Sequence, residues 1–207
     1  MFYLIKTPWW LKKIYPSSLT WNLPVKEKVL YLSFDDGPHA TATPFVLDTL
    51  KRYNAKATFF CIGKNVIKNK EIYNRIIDEG HKVGNHTFNH LNGWKTNDQE
   101  YIHDVIEAAK YIDSKLFRPP YGRINRFKIT LLKKAGFKII MWDVLSGDFD
   151  KDVTKEKCVE NVIFHAKPGS IIVFHDSEKA MENMSYTLPV ILEKLSSMGF
   201  MFETISI

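Results

Sequence analysis

The stretch LYLSFDDGPHA, residues 30–40, joins a hydrophobic run to two adjacent carboxylates and a Gly-Pro pair. The hydrophobic run has the short, apolar and aromatic character of a strand buried in a sheet. Asp35 and Asp36 then fall at the end of that strand, and Gly37-Pro38 turns the chain away from it. Two like charges at this position need a source of positive charge nearby if both are to stay ionised. The stretch therefore predicts a strand end with a function.

Further along the chain, strand-like runs alternate with amphipathic helical segments. We predict strands at 29–34, 57–62, 81–84, 116–118, 137–142, 170–174 and 200–207. We predict helices at 43–53, 65–79, 98–114, 126–135, 154–166 and 181–198. This repetition is typical of parallel βαβ units, and no glycine-rich phosphate fingerprint favours an open dinucleotide-binding sheet. The pattern predicts an α/β fold in which the strands form a (β/α) barrel.

The length and composition indicate one globular domain. The chain has 207 residues, of which 45% are hydrophobic, and can bury one sizeable core. We place the domain at residues 28–207 and expect residues 1–27 to be a lead-in that caps the barrel. We expect no transmembrane segment, because the hydrophobic runs are far shorter than the roughly 20 residues that cross a bilayer. No signal peptide is evident, so a cytoplasmic or membrane-peripheral monomer is the default expectation, with the compartment left open.

Basic residues account for the net charge of +6 and concentrate in the lead-in and in residues 118–138. A basic surface attracts anionic partners, so an anionic substrate and peripheral membrane contact both stay open. We expect no nucleic-acid binding, because no motif for it is present. Trp9, Trp10 and Trp21 suit a membrane interface, but we favour their packing across the bottom of the domain.

Polar residues that do not suit a core fall at the carboxyl ends of the predicted strands. They are Asp35, Asp36, His86, His90, Arg118, Asp148 and His175. In a parallel barrel these ends share one mouth, where the loops of several strands build a site. The strand pattern therefore predicts that these residues form one constellation.

The sequence NHTFNH, residues 85–90, places His86 and His90 four positions apart. In a helical turn or a tight loop both imidazoles can face one point, and a carboxylate from the first strand would complete an Asp/His/His set. Three protein ligands leave coordination positions open for water, as in a catalytic zinc site, and Co²⁺, Ni²⁺ or Fe²⁺ accept the same donors. Two histidines at this spacing also occur simply to satisfy local hydrogen bonds, and that reading stays open for the pair alone.

Five short motifs occur in the order SFDDGP (33–38), HTFNH (86–90), RPPYG (118–122), SGDF (146–149) and VFH (173–175). In order and rough spacing they resemble the motifs of the polysaccharide deacetylases, the NodB-homology domain of carbohydrate esterase family 4. The resemblance covers about residues 28–206 and implies a distorted (β/α)7 barrel. It also implies hydrolysis of N-acetyl groups on amino sugars of a polymer such as peptidoglycan or chitin, assisted by a divalent metal, with Zn²⁺ expected.

The resemblance also implies a role for each matching residue. It implies metal ligation by Asp36, His86 and His90. It implies that Asp35 is the general base, that Arg118 orients it, and that the backbone N–H of Tyr121 contributes to the oxyanion hole. It implies that His175 is the general acid, tuned by Asp148.

Two positions depart from the family pattern, and two other functions compete with polymer deacetylation. Phe149 stands where the family usually has tryptophan, and Val173 where it usually has leucine, so acyl or sugar preference can differ. A deacetylase of a small or lipid-linked amino sugar would keep every residue role. A non-catalytic carbohydrate-binding protein would not need a base, an acid and a metal together.

Overall fold

The computed structural model describes residues 3–207. Its strands are β1 Val29–Asp35, β2 Ala57–Cys61, β3 Lys82–Asn85, β4 Leu116–Phe117, β5 Lys138–Ile139, β6 Val144–Leu145, β7 Ile171–His175 and β8 Met201–Phe202. Its helices are α1 Trp9–Ile14, α2 Ala42–Arg52, α3 Gly63–Lys68, α4 Lys70–Asp78, α5 Asp98–Ala108, α6 Arg126–Lys134, α7 Lys155–Ile163 and α8 Met181–Ser197, with a 3₁₀ turn at Pro120–Gly122.

The strands form one curled parallel sheet. Seven of them lie side by side in the order β5-β4-β3-β2-β1-β7-β6, and β8 pairs with β1. Every ladder is parallel, and helical segments connect most successive strands. The two ends of the order are β5 and β6, which are consecutive in the chain. The predicted distorted (β/α)7 barrel is therefore confirmed, with its distortion between β5 and β6.

The lead-in runs along this gap in the barrel wall. Thr20 exchanges backbone hydrogen bonds with β5 and the segment after it, donating to Ile139 O at 3.0 Å and accepting from Met141 N at 2.7 Å. Thr7 donates to the carbonyl of Asp143 at 3.0 Å, and the Asp143 carboxylate accepts from Lys12 Nζ at 2.7 Å. The lead-in thus supplies part of the pairing that β5 and β6 lack. The domain boundary between residues 27 and 28 stays a prediction.

Several predicted boundaries were wrong. The helix expected at 65–79 is two helices, α3 and α4, because Asn69 ends one and begins the other while its side chain donates to Pro38 O at 2.9 Å. The strand expected at 137–142 is reduced to β5, and β6 follows as an additional short strand. Helix α5 ends at Ala108 rather than near 114, and the strand expected at 200–207 contains only the two residues of β8.

The tryptophans of the lead-in divide between the interior and the surface. Trp21 is buried and packs edge-on against Tyr15, with 5.7 Å between ring centroids. Trp9 and Trp10 are 70% and 48% exposed, so their expected packing across the domain was wrong. Among residues 3–207 no helix combines the length and the apolar composition that a bilayer crossing requires.

The core of the barrel holds the strand ends in fixed register. All seven residues of β1 are buried, and Phe34 stacks between Phe59 of β2 and Phe174 of β7. In the parallel ladders Asp35 aligns with Phe60 on one side and with His175 on the other. Because parallel strands end at one edge, this register brings Asp35 and His175 to the same mouth of the barrel.

Candidate active site

A cavity of about 200 Å³ lies at the carboxyl ends of the strands. It is lined by six of the residues singled out from the sequence: Asp35, Asp36, His86, His90, Tyr121 and His175. The other two, Arg118 and Asp148, lie behind the cavity wall and contact Asp35 and His175 respectively. The structure therefore brings all eight predicted residues into one constellation. Asp148 follows β6, not the longer fifth strand expected from the sequence.

Asp36, His86 and His90 converge on one point. Asp36 follows β1 with a positive φ of 80°, and Asn65 Nδ2 donates to its carbonyl oxygen at 2.7 Å. The Oδ1 atom of Asp36 lies 3.1 Å from His90 Nε2 and 3.6 Å from His86 Nε2. One potential ligand atom from each residue lies within 4.8 Å of the others. The HxxxH pair lies in a tight loop, where Thr87 and His90 both have positive φ.

The surroundings of these three residues suit a divalent cation. His86 Nδ1 bonds the Arg118 carbonyl at 2.7 Å, which leaves Nε2 facing Asp36. Burial lowers the pKa of His86 to about 4, so the imidazole is neutral and has a lone pair for a metal. Burial acts to raise the pKa of Asp36, but the neighbouring histidines outweigh it and hold that pKa below its usual range. Within residues 3–207, the buried Oδ1 of Asp36 accepts no hydrogen bond of good geometry.

Asp35 is held by a buried arginine. Arg118 Nη1 donates to Asp35 Oδ1 at 2.7 Å and to Ser33 Oγ at 2.8 Å. Its other nitrogens donate to the carbonyls of Ile140 at 3.2 Å and Met141 at 2.9 Å. The guanidinium is fully buried and nevertheless satisfied, and this fixes the orientation of the Asp35 carboxylate. Ser33 was missed from the sequence, although a polar residue in an otherwise apolar strand was a signal for it.

His175 and Asp148 form a second pair on the other side of the cavity. Asp148 Oδ1 lies 2.8 Å from His175 Nδ1, and its Oδ2 accepts the backbone N–H of His175 at 2.7 Å. Burial acts to lower the pKa of His175, but the adjacent charge and hydrogen bond of Asp148, with smaller contributions from Asp36 and Asp35, raise it to about 9. His175 therefore carries a proton at neutral pH, with Nε2 as the nitrogen not used by Asp148.

Tyr121 stands at the edge of the cavity in a conformation that is rare for a residue with a side chain. Its φ is 61°, and its ring packs on His90 with 4.7 Å between centroids. The next residue, Gly122, has a φ of 66°, and a Cβ there would lie 2.5 Å from the Trp142 ring. The turn thus requires glycine at 122, and it holds the Tyr121 ring against His90.

Asp176 is a buried carboxyl group next to the site that was given no role from the sequence. It accepts the Gly37 N–H at 3.1 Å and the Thr43 hydroxyl at 2.5 Å. Burial raises the pKa of Asp176 to about 8. Only glycine fits at 37, since a Cβ there would lie 2.0 Å from Asp176 Oδ2. These bonds fix the turn after Asp36, and only the folded structure shows them.

The remaining cavity wall is apolar and aromatic with two cations. It consists of Tyr3, Trp142, Leu145, Phe149 and Val173, with Arg123, Ser177 and Lys179. Phe149 and Val173, the two departures from the family pattern, therefore both touch the space where a substrate group would lie. Phe149 packs edge-on against His175 with 5.0 Å between ring centroids.

Comparison with known proteins gives a consistent result. The family model described as polysaccharide deacetylase matches residues 22–140. A peptidoglycan-N-acetylglucosamine deacetylase of Bacillus cereus is 36% identical over 202 residues, which cover 94% of this chain and 95% of the relative.

Among solved structures, the Bc1960 peptidoglycan N-acetylglucosamine deacetylase superposes with a TM-score of 0.88 at 33% identity, covering 96% of this chain and 95% of that one. The peptidoglycan deacetylase PdaC from Bacillus subtilis gives 0.79 at 32% identity, covering 87% and 89%.

Proposed function

Because the chain belongs to the polysaccharide deacetylase family, whose members hydrolyse amide carbon–nitrogen bonds, we propose that it removes N-acetyl groups from amino sugars of peptidoglycan with a bound divalent cation. The observation that carries the proposal is one cavity that brings together three residues able to hold a metal ion, an aspartate paired with Arg118 and a histidine paired with Asp148. A carbohydrate-binding protein without catalytic activity has no need for that combination.

Asp36, His86 and His90 would hold the cation. One carboxylate and two neutral imidazoles suit Zn²⁺, and Co²⁺, Ni²⁺ or Fe²⁺ can use the same donors. When bound, the ion supplies a Lewis acid that polarises the acetyl carbonyl and makes a water molecule acidic enough to attack near neutral pH. The unsatisfied Oδ1 of Asp36 and the fixed Nε2 of His86 support this assignment.

Asp35 is the proposed general base. It lies next to the ligand Asp36 at the same strand end, and Arg118 fixes its carboxylate so that the second oxygen stays available. A carboxylate held in this way takes the proton from the attacking water as the carbon–oxygen bond forms. The positive charge of Arg118 also offsets the negative charge of Asp35, which stands next to Asp36.

His175 is the proposed general acid. An amine leaves poorly unless it gains a proton, so the sugar nitrogen needs a donor as its bond to the acetyl carbon breaks. His175 lines the cavity, and Asp148 keeps the imidazole protonated and oriented through Nδ1. On this assignment, Nε2 delivers the proton to the leaving nitrogen.

The Tyr121 backbone N–H is the proposed oxyanion donor. The positive φ of Tyr121, the packing of its ring on His90 and its position in the cavity wall support this assignment. One preorganised donor of this kind is worth roughly 3–4 kcal/mol in the transition state. Its N–H would stabilise the tetrahedral oxygen that forms when water adds to the acetyl group.

A small or lipid-linked amino sugar is the second candidate substrate, with the same residue roles. The observation that favours it is the exposed basic surface formed by Arg126, Lys133, Lys134 and Lys138, which could hold an anionic carrier.

The test measures acetate release from N-acetylated peptidoglycan, N-acetylated chito-oligosaccharides and a lipid-linked amino sugar, with the Asp35→Asn variant as the inactive control. Release of acetate from peptidoglycan by the wild type, with none from the Asp35→Asn variant, supports the proposal. Release only from the lipid-linked sugar would replace the substrate, and release from none would refute deacetylation of carbohydrates.

A further inference from the structure

A second cavity, of about 530 Å³, adjoins the catalytic cavity. The two share five lining residues: Tyr3, Tyr121, Arg123, Trp142 and Leu145. The remaining wall comes from Trp94, in the loop before α5, from Gly122 and Met141, and from lead-in residues including Leu11 and Tyr15. We call this cavity the lead-in groove. Because the two cavities share those five residues, a substrate with one sugar in the catalytic cavity has the lead-in groove directly beside it.

The catalytic cavity is too small to hold more than part of a large substrate. Its volume of about 200 Å³ lies below the roughly 300–1,000 Å³ of pockets that enclose a whole drug-sized ligand. An acetamido sugar that reaches Asp35 and His175 must leave the sugars linked to it outside this cavity. The lead-in groove is the adjoining space that could receive one of them.

The walls of the lead-in groove have the chemistry of a sugar-binding surface. Trp94 and Tyr121 are 60% and 53% exposed, so both rings offer surface that a ligand in the groove can contact. A pyranose ring has apolar C–H faces that pack on aromatic rings and a rim of hydroxyl groups that need hydrogen-bond partners. Arg123 meets the second requirement: its guanidinium lies 5.3 Å above the Trp94 ring and forms no ion pair within residues 3–207.

We propose that the lead-in groove binds the sugar next to the one being deacetylated, with Trp94 as its main contact and Arg123 as its hydrogen-bond donor. This inference rests on the proposed function, since it assigns the neighbouring unit of the same carbohydrate chain. It also gives the lead-in a functional part, because residues outside the barrel form one side of the groove. The site would therefore prefer an oligosaccharide to a free amino sugar.

The test compares N-acetylglucosamine with its β-1,4-linked tetrasaccharide in wild type and Trp94→Ala. We expect the wild type to have a higher kcat/KM for the tetrasaccharide. Trp94→Ala should lower that value about tenfold, which is about 1.4 kcal/mol, and leave the monosaccharide value within about twofold. Trp9→Ala is the matched control, because Trp9 is also exposed and in the lead-in but does not line the groove. It should match the wild type on both substrates.

Calorimetric binding of the tetrasaccharide separates failure of the groove from failure of the proposed function. If the protein releases acetate equally well from both sugars, or if Trp94→Ala binds and processes the tetrasaccharide like the wild type, the groove assignment is wrong and deacetylation stands. If no acetate is released but Trp94→Ala still weakens tetrasaccharide binding about tenfold relative to Trp9→Ala, the groove is supported and the proposed function is wrong.

Discussion

The pair formed by Asp148 and His175 makes a sharp prediction about pH. If His175 is the general acid, it must be protonated, so activity should fall as the pH rises through its pKa of about 9. The informative perturbation is Asp148→Asn, which removes the negative charge but keeps one side-chain oxygen that can accept the backbone N–H of His175. A change in the pH profile of this variant then reports the contribution of the Asp148 charge to the pKa of His175, and not a loss of folding.

The size of the effect follows from the opposing contributions to the pKa of His175. Its pKa rises from 6.5 to about 9 even though burial acts to lower it, so Asp148 supplies most of the increase. Without that charge, burial opposes the smaller contributions of Asp36 and Asp35, and the pKa should fall toward its ordinary value of 6.5. At pH 7.5 the protonated fraction of His175 would then drop from about 97% toward about 10%, the value for a pKa of 6.5, since a difference of one pKa unit is a factor of ten.

The assay is acetate release between pH 5.5 and 10, analysed separately for kcat and kcat/KM. Asp148→Asn should shift the alkaline limb of both profiles toward lower pH by about two units. Asp152→Asn, which removes an exposed charge from the same loop, should leave the limb in place. An Asp148→Asn profile with the wild-type alkaline limb would refute the assignment of His175 as the acid that Asp148 tunes.

Three further variants test other parts of the site. Asp35→Asn should keep a full complement of metal by elemental analysis yet lower kcat by about 10²-fold or more; near wild-type turnover would exclude Asp35 as the base. Arg118→Met should lower the free energy of unfolding in urea by about 3–5 kcal/mol, because the buried Asp35 carboxylate loses its partner, whereas Arg126→Met at an exposed position should change it little. Equal losses in the two variants would contradict a buried Arg118–Asp35 ion pair. Gly37→Ala should lower the free energy of unfolding by about 1–3 kcal/mol in the same assay, because the added Cβ collides with the Asp176 carboxyl group. An unchanged free energy of unfolding would contradict the requirement for glycine at this position.

The sequence predicted which residues lie together at the barrel mouth better than it predicted the secondary structure. Asp35, His86 and His175 could be grouped because parallel strands end at one mouth, and that rule holds even when strand lengths are misjudged. The family resemblance then matched residues to roles through five short motifs. Both arguments need only the fold class and the order of the strands and motifs along the chain, and the local sequence pattern predicts these well.

The features that were missed depend on contacts between distant segments. β6 has only two residues and is held by β7 and by bridging from the lead-in, so no local periodicity marks it. The break between α3 and α4 reflects the bond from Asn69 to Pro38, 31 positions away in sequence. The role of Asp176 in fixing the turn after Asp36, and the aromatic groove beside the cavity, likewise appear only when separate segments are brought together.

Asp36, His86 and His90 are proposed to hold a cation on which deacetylation depends. The most direct measurement is acetate release from N-acetylated peptidoglycan by chelator-treated protein to which Zn²⁺ is returned in steps. Wild type and His103→Ala, which changes an exposed histidine on α5, should be inactive after chelation and recover fully at one equivalent of Zn²⁺. His90→Ala should bind no stoichiometric Zn²⁺ and recover nothing. Full activity in the chelated wild type, or stoichiometric zinc and recovered activity in His90→Ala, would contradict this metal assignment.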